Sequence, residues 1–338
     1  MAEKTDVYEQ MANMYLEEDP VGMGGPKTPS FLKVLSLQFT EAEAQLALQI
    51  RFEGGTLDEI SKKSGIEPEK LKKMLYRMAD KGTIYYNPSD ADPAYRVIAT
   101  AAPGIIETGL WTGLKFPYTV ELGKALYQYL KEWSEQKLIT LGVPFAPVWA
   151  GEKTLPDDAL PTENLVEVLK KEDHWSVSPC PCRIAHWLVD PGNHCEHISE
   201  TCLKSGELSR WAVKHGMARE LTFEEMAEFL QECNEDGLVH TLNIQNCVCN
   251  CCNDCCAIFH GQNLGHEVFV PSPFMAQVDD DTCTACETCV DRCPVNAITV
   301  EDSAAVDQQI CLGCGVCVPT CPADSIALTR RPESEQAE

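Results

Sequence analysis

Cys283-Thr284-Ala285-Cys286-Glu287-Thr288-Cys289-Val290-Asp291-Arg292-Cys293-Pro294 returns, 28 residues on, as Cys311-Leu312-Gly313-Cys314-Gly315-Val316-Cys317-Val318-Pro319-Thr320-Cys321-Pro322. Three cysteines at two-residue intervals sit on a tight loop and reach three irons of one [4Fe–4S] cubane. The fourth lies beyond a turn and reaches the other cubane. The pattern predicts cross-ligation: Cys283, Cys286, Cys289 and Cys321 around one cluster, and Cys311, Cys314, Cys317 and Cys293 around the second. The repeat extends past the ligands, matching Val278 to Val306, Ile298 to Ile326 and Val300 to Leu328. Each half should supply a strand, a ligand loop and a short helix. Zinc ribbons use two Cys-x2-Cys pairs and four ligands, so two runs of four closed by Cys-Pro do not suit zinc.

These runs resemble those of bacterial two-cluster ferredoxins. The resemblance covers about residues 271–328 and implies one-electron, low-potential transfer through two [4Fe–4S] clusters, with Pro294 and Pro322 closing the cofactor loops. The first loop lacks the glycines that the second carries as Gly313 and Gly315. Glu287, a carboxylate beside a cluster, should lower its potential by disfavouring added negative charge. Residues 329–338 form a polar tail expected to be disordered.

Composition bounds the rest. The chain has 338 residues, 19 cysteines and a formal net charge of −25. Such acidity repels phosphate backbones and anionic membranes and favours a redox partner with a basic docking patch. The N-terminal residues begin no apolar signal-peptide region, and no stretch is apolar enough to span a bilayer. Nineteen cysteines then argue for metal ligation in a reducing cytoplasm, under anaerobic or microaerobic conditions.

Eleven cysteines lie between residues 176 and 260. Cys233 shares the inward stripe of Phe223, Met226 and Leu230 on a helix that opens with a Thr222/Glu225 capping box and ends at Gly237, so it reads as a core residue. The other ten, Cys180, Cys182, Cys195, Cys202, Cys247, Cys249, Cys251, Cys252, Cys255 and Cys256, are the pool for one or two further iron–sulfur clusters. Neighbouring side chains diverge, so pairs such as Cys251-Cys252 and Cys255-Cys256 rarely put both sulfurs on one metal, and some of the ten are expected to be buried thiols outside any cluster. The preferred arrangement bridges the segments, using some of Cys182, Cys195 and Cys202 with Cys249 or Cys252. The alternative is a structural zinc site with spare thiols. His186, His194, His197, His240 and Arg183 lie nearby and are expected to donate to cluster sulfur or cap helices. The Cys180-Pro-Cys-Arg segment, Gly237-Leu-Val-His240 and the Cys249-Asn-Cys-Cys segment resemble those of anaerobe iron–sulfur proteins that end in a ferredoxin module. The vicinal pairs are similar to Cys-Cys-Gly domains, but no glycine follows either pair.

Towards the N-terminus, residues 1–37 read as an arm whose Met11, Met14 and Leu16 dock a short helix, followed by a hinge from Pro20 to Pro29. Between 38 and 100, capping signals at Thr40/Glu43 and Thr56, stops at Gly65 and Gly82, and Pro68 at a helix start predict three helices. Alternating residues 84–86 and 95–98 then predict two strands around a wing. This order resembles the winged helix-turn-helix. Nine basic and ten acidic residues make that segment −1 and leave −24 on the remainder. Dimerisation or protein contact is therefore favoured over DNA. A long helix from Val120 to Lys137, a Pro-rich strap from Val143 to Leu155 and a helix from Glu163 belong to a central domain, residues 101–270. Gly22-Met-Gly24-Gly25 follows no strand, so it is no nucleotide loop.

The expected fold class is α+β: mainly helical winged-helix-like and central domains, then a C-terminal ferredoxin-like dicluster domain. The expected role is electron transfer to an oxidoreductase partner. A redox-sensing transcription regulator and a reductase with its own active-site cluster are the alternatives.

Overall fold

The computed structural model describes residues 6–20, 27–100, 104–135, 144–192, 195–242 and 246–332. Gly22 to Gly25, Lys137, Val143, His194 and residues 333–338 of the expected tail lie outside them. The chain is α+β.

Helices α1 (Val7–Glu18), α2 (Pro29–Gln38), α3 (Glu41–Ile50), α4 (Leu57–Ser64) and α5 (Pro68–Asp80) precede a hairpin of β1 (Ile84–Tyr85) and β2 (Arg96–Val97), and α6 (Ile105–Trp111) and α7 (Thr119–Glu135) follow. Reciprocal capping boxes at Thr40/Glu43 and Thr56/Glu59 start α3 and α4, and Gly65 ends α4 in the left-handed region. Two details of the expected arm change. Residues 29–38 are a helix, because Thr28 caps it and Pro29 sits in its first turn, where a missing N–H costs nothing. Leu16 is half exposed, and Tyr15 is buried in its stead, donating to the Ile98 carbonyl at 2.9 Å. The arm thus belongs to the main core, with α2 packed on α7.

The central region holds more helix than strand, but a sheet organises it. It is built on a seven-stranded sheet from β3 (Ala146–Trp149), β4 (Trp175–Pro179), β5 (Glu200–Ser205), β6 (Arg219–Leu221), β7 (Val239–Leu242), β8 (Cys247–Cys251) and β9 (Phe269–Val270), in the order β6-β4-β5-β8-β7-β3-β9. Its pairings are antiparallel except β3 with β9. Interleaved are α8 (Leu165–Leu169), α9 (Pro181–Val189), α10 (Gly206–Lys214), α11 (Phe223–Asp236) and α12 (Ala257–Asn263). Side-chain period explains β8. Cys247-Val-Cys-Asn-Cys251 alternates between two faces, as a strand requires. Cys247 and Cys251 join the core shared with α6, α7 and α12, whereas Val248 joins the core beneath α8 and α11. Cys233 is fully buried in the second core.

The last segment has β10 (Phe274–Val278), α13 (Thr288–Arg292), β11 (Ile298–Val300), β12 (Ala304–Val306) and β13 (Ile326–Arg330). Val278 pairs with Ile326 and Ile298 with Val306, so a 28-residue shift carries one ladder onto the other. The expected tail begins later than residue 329. Arg330 on β13 bonds both carboxylate oxygens of Glu163, at 2.8 and 2.9 Å, and buried Arg331 donates to the Ser272 carbonyl at 3.0 Å.

Loop packing explains where the glycines fall. Ala285 and Glu287 adopt positive φ, as do Gly313 and Gly315 in the matching places. A Cβ at Gly313 would meet the Phe274 carbonyl at 2.0 Å, and one at Gly315 the Thr154 hydroxyl at 2.2 Å. The second loop is pressed against residues 154 and 272–274, whereas Glu287 of the first is exposed. Arg292 reinforces this junction, donating to the Val316 carbonyl at 3.2 Å and to the carbonyls of Asn234 and Asp236 at the end of α11.

Gly313→Ala should destabilise the protein by about 2 kcal/mol or more, from left-handed strain plus the clash. Ala285→Gly should change stability by less than about 1 kcal/mol. Guanidinium unfolding followed by circular dichroism checks both. A second expectation concerns His215, which is buried between Asp80 at 2.7 Å and the Tyr86 hydroxyl at 3.1 Å. Burial lowers its pKa despite the opposing pull of Asp80. Its contribution to stability is therefore complete above the unfolded value of about 6.5 and is lost as pH falls through the folded value. His215→Gln should flatten the fall in melting temperature on acidification below pH 6.5.

Candidate metal centres

In the C-terminal segment, residues far apart in sequence meet. The electrostatic neighbours of Cys289 are Cys286, Cys283 and Cys321, and those of Cys317 are Cys314, Cys311 and Cys293. A cavity is lined by Cys293, Cys311, Cys314 and Cys317 together with Pro294 and Leu312. Backbone N–H groups point at sulfur: Ala297 to Cys293 at 3.2 Å, Ser325 to Cys321 at 3.3 Å and Ala304 to Cys283 at 3.4 Å. Such donors stabilise anionic thiolate on a cluster, so the residues present fit the group. Cys311, Cys314 and Cys317 are buried, whereas Cys286 is exposed. Pro294 is buried and Pro322 exposed, in keeping with the same difference between the two ends.

The sheet divides the central cysteines. Cys202 on β5 stands opposite Cys249 on β8, and Lys204 opposite Cys247. The Cys202 and Cys247 sulfurs are 3.6 Å apart. Cys180 caps α9, Cys182 lies in its first turn, and Cys256 caps α12. These thiols meet Cys249 and Cys251 in a cavity walled by Ile106, Leu130, Trp133 and Phe145. Cys252 and Cys255 also line this cavity and pack on the core under α8 and α11, and Cys195, outside the lining, joins them there. Thus Cys182, Cys202 and Cys249 converge in the cavity, and Cys195 meets Cys252 and Cys255 at its edge.

Proton sharing runs along the first group. The Cys251 and Cys247 thiols are held well above their ordinary range, chiefly by donating to Cys249 and Cys202 respectively, with burial adding to the effect. Cys256 accepts from Cys182 and Cys251 and is pulled down to about 5. Metal ligation there must displace protons, so loading should weaken as pH falls.

Three side chains that the sequence reading did not weigh support this chemistry. Lys204 is fully buried, with Nζ 2.7 Å from the Cys202 carbonyl and 4.0 Å from the centroid of the Trp111 ring. Its ammonium offsets negative charge on the cysteine-bearing face. Asn250 donates to the Thr201 carbonyl at 2.9 Å, and its Oδ1 lies 2.6 Å from His240 Nδ1. Burial lowers the His240 pKa, so its imidazole is neutral and donates through Nδ1. Thr201 accepts from Arg183. Only Lys204 had a sequence signal: a charge inside the alternating Thr201-Cys-Leu-Lys-Ser205.

Of the residues singled out earlier, Arg183 is the most engaged. It is buried, donates to the carbonyls of Ile198 at 3.0 Å and Asn250 at 3.3 Å, and lies beside Cys180, Cys252 and Cys195. His197 Nδ1 is 3.0 Å from Asp236, and His186 lies edge-on to Tyr127.

Residues 276–299 match the family model described as a 4Fe-4S binding domain. No curated protein and no solved structure matches the chain. The matched segment contains the first cysteine run, and this is an iron–sulfur protein with at least one [4Fe–4S] cluster. No helix among the described residues is long and apolar enough to cross a membrane.

Arg183→Met should cost about 3 kcal/mol or more, because it strands buried acceptors and leaves the thiolates uncompensated. Arg183→Lys should recover less than half of that loss, since an ammonium cannot span the same partners. The denaturant midpoint for loss of cluster absorbance measures both.

Proposed function

We propose that the protein relays single electrons through two [4Fe–4S] clusters in its C-terminal segment and a further cluster on the cysteine-bearing face of the central sheet. When bound, such clusters take up and release one electron each. The observation that carries the reading is the crossed grouping of cysteines: Cys321 stands with Cys283, Cys286 and Cys289, and Cys293 with Cys311, Cys314 and Cys317. The further cluster draws its ligands from Cys180, Cys182, Cys249, Cys251 and Cys256, with Cys202 and Cys247 beside them. Apolar side chains exclude water there, and buried Lys204 offsets charge.

The packing supports a direction for the relay. The second quartet faces the central domain: the Cys314 carbonyl accepts from Gly151 N–H at 3.3 Å, and Arg292 ties Val316 to α11. The first quartet faces outward through exposed Cys286, near a surface groove lined by Asp279, Asp280, Asp281 and Asp324. Like charge there supports docking of a basic face on an external redox protein, with association that weakens as salt rises. Residues 38–98 are proposed as winged-helix-like, contacting protein or a second copy of the chain. One observation favours the alternative of a redox-sensing regulator, the exposed basic row Lys70, Lys72, Lys73 and Arg77 on α5. Salt-sensitive binding to duplex DNA that changes on cluster oxidation would support it.

Anaerobically purified protein should contain about twelve irons per chain, four for each of three cubanes. Cys321→Ser should perturb the same electron paramagnetic resonance signal as Cys286→Ser, and Cys293→Ser the same signal as Cys314→Ser. Pairing of Cys321 with Cys314 instead would overturn the crossed grouping. Glu287→Gln should raise the midpoint of the outward cluster and leave the inward one unchanged.

A further inference from the structure

The sulfurs of Cys195, Cys252 and Cys255 all lie within 4.8 Å of one another. Among the described residues no other three cysteines come so close, the eight of the C-terminal runs and those facing α9 and α12 included. The difference is chemical. A cubane gives each thiolate its own iron, so its ligands stand apart. A single tetrahedral ion with metal–sulfur bonds of about 2.3 Å draws its thiolates to roughly 3.8 Å. The trio has the compact spacing.

The fourth ligand approaches from the Cys252 side. His197, Cys252 and Asp254 offer ligand atoms within 4.8 Å of one another, while His197 lies beyond that distance from at least one of Cys195 and Cys255 and must close in when an ion binds. The Asp236 carboxylate, 3.0 Å from His197 Nδ1, can only accept, so Nδ1 faces it as donor and Nε2 is the nitrogen left for a metal. Nε2 is 4.0 Å from Asp254, which places it on the side of the ring away from Asp236. A carboxylate behind an imidazole is how metal-bound histidines are oriented. Asp236 also accepts from Ile198 N–H at 3.2 Å, holding the loop that carries both Cys195 and His197.

Charge closes the case. Three thiolates, a neutral imidazole and a divalent ion sum to −1, and the buried Arg183 guanidinium beside Cys252 and Cys195 supplies +1. Soft sulfur ligands with one imidazole suit zinc.

We propose that Cys195, Cys252, Cys255 and His197 hold one four-coordinate zinc ion, separate from every iron–sulfur cluster. It clamps the loop at residues 195–199 onto the turn that follows β8. With all four positions filled by protein, the site is structural, and it leaves Cys180, Cys182, Cys249, Cys251 and Cys256 to iron.

Full-length protein purified anaerobically should contain about one zinc per chain in addition to iron. Zinc-edge X-ray absorption should give three sulfurs and one nitrogen. Cys255→Ser should lose the zinc while iron content and visible absorbance stay unchanged, and Asp236→Asn should speed zinc release to a chelator. Protein that lacks zinc, a four-sulfur shell, or a Cys255→Ser variant that keeps zinc and loses about four irons overturns the proposal. If Cys255→Ser does not fold, the absorption spectrum of the wild-type protein decides the matter alone. A wrong cluster count with an intact three-sulfur zinc shell would overturn the electron relay and leave this site standing.

Discussion

The two-residue pleat of β8 is the constraint on which the rest depends. It turns Cys247, Cys249 and Cys251 to one face of the sheet and Val248 and Asn250 to the other. The register with β5 sets Cys202 and Lys204 on the same face as those thiols. Helices α6, α7, α9 and α12 cover that face, and α8 and α11 cover the other. A slip of one residue would exchange the two sets and bury three thiols in an aliphatic core. Cys252, one position past the strand, falls on the other side, and that single step separates two kinds of site.

Electrostatics follow from this division. The central cysteines are accompanied by two buried cations: Lys204 on one face and Arg183 at the edge shared by both. Arg292 does comparable work at the junction with the C-terminal segment, where it meets the carbonyls that end α11. These few internal cations contrast with an acidic exterior. In a chain of net charge −25, two of the buried cations, Lys204 and Arg183, stand beside buried sulfur.

Much of the fold was legible where the determinants are local. The capping boxes at Thr40, Thr56 and Thr222, the stops at Gly65 and Gly237 and the inward place of Cys233 all depend on residues within one or two turns. The 28-residue repeat was equally plain. Helix α2 hides in the Gly/Pro-rich stretch from Pro20 to Pro29, where the same Thr28-Pro29 pair that reads as a hinge also starts a helix. The central sheet is hard to read from sequence because its strands are two to six residues long and cysteine fits a ligand cluster as well as an alternating strand. Which central cysteines meet depends on register between β5 and β8, some 45 residues apart in sequence, and no local signal carries that. The partners of Lys204 and Asp236 are likewise set by tertiary contact.

Iron-edge anomalous diffraction from anaerobically grown crystals of the full chain tests the central claim most directly. The account predicts two cubane peaks in the C-terminal segment, each bound by three cysteines of one run and one of the other. A third peak should lie on the face of the sheet that carries Cys249 and Cys251. Iron confined to the C-terminal segment, or a cubane bound by Cys195, Cys252 and Cys255, would contradict it.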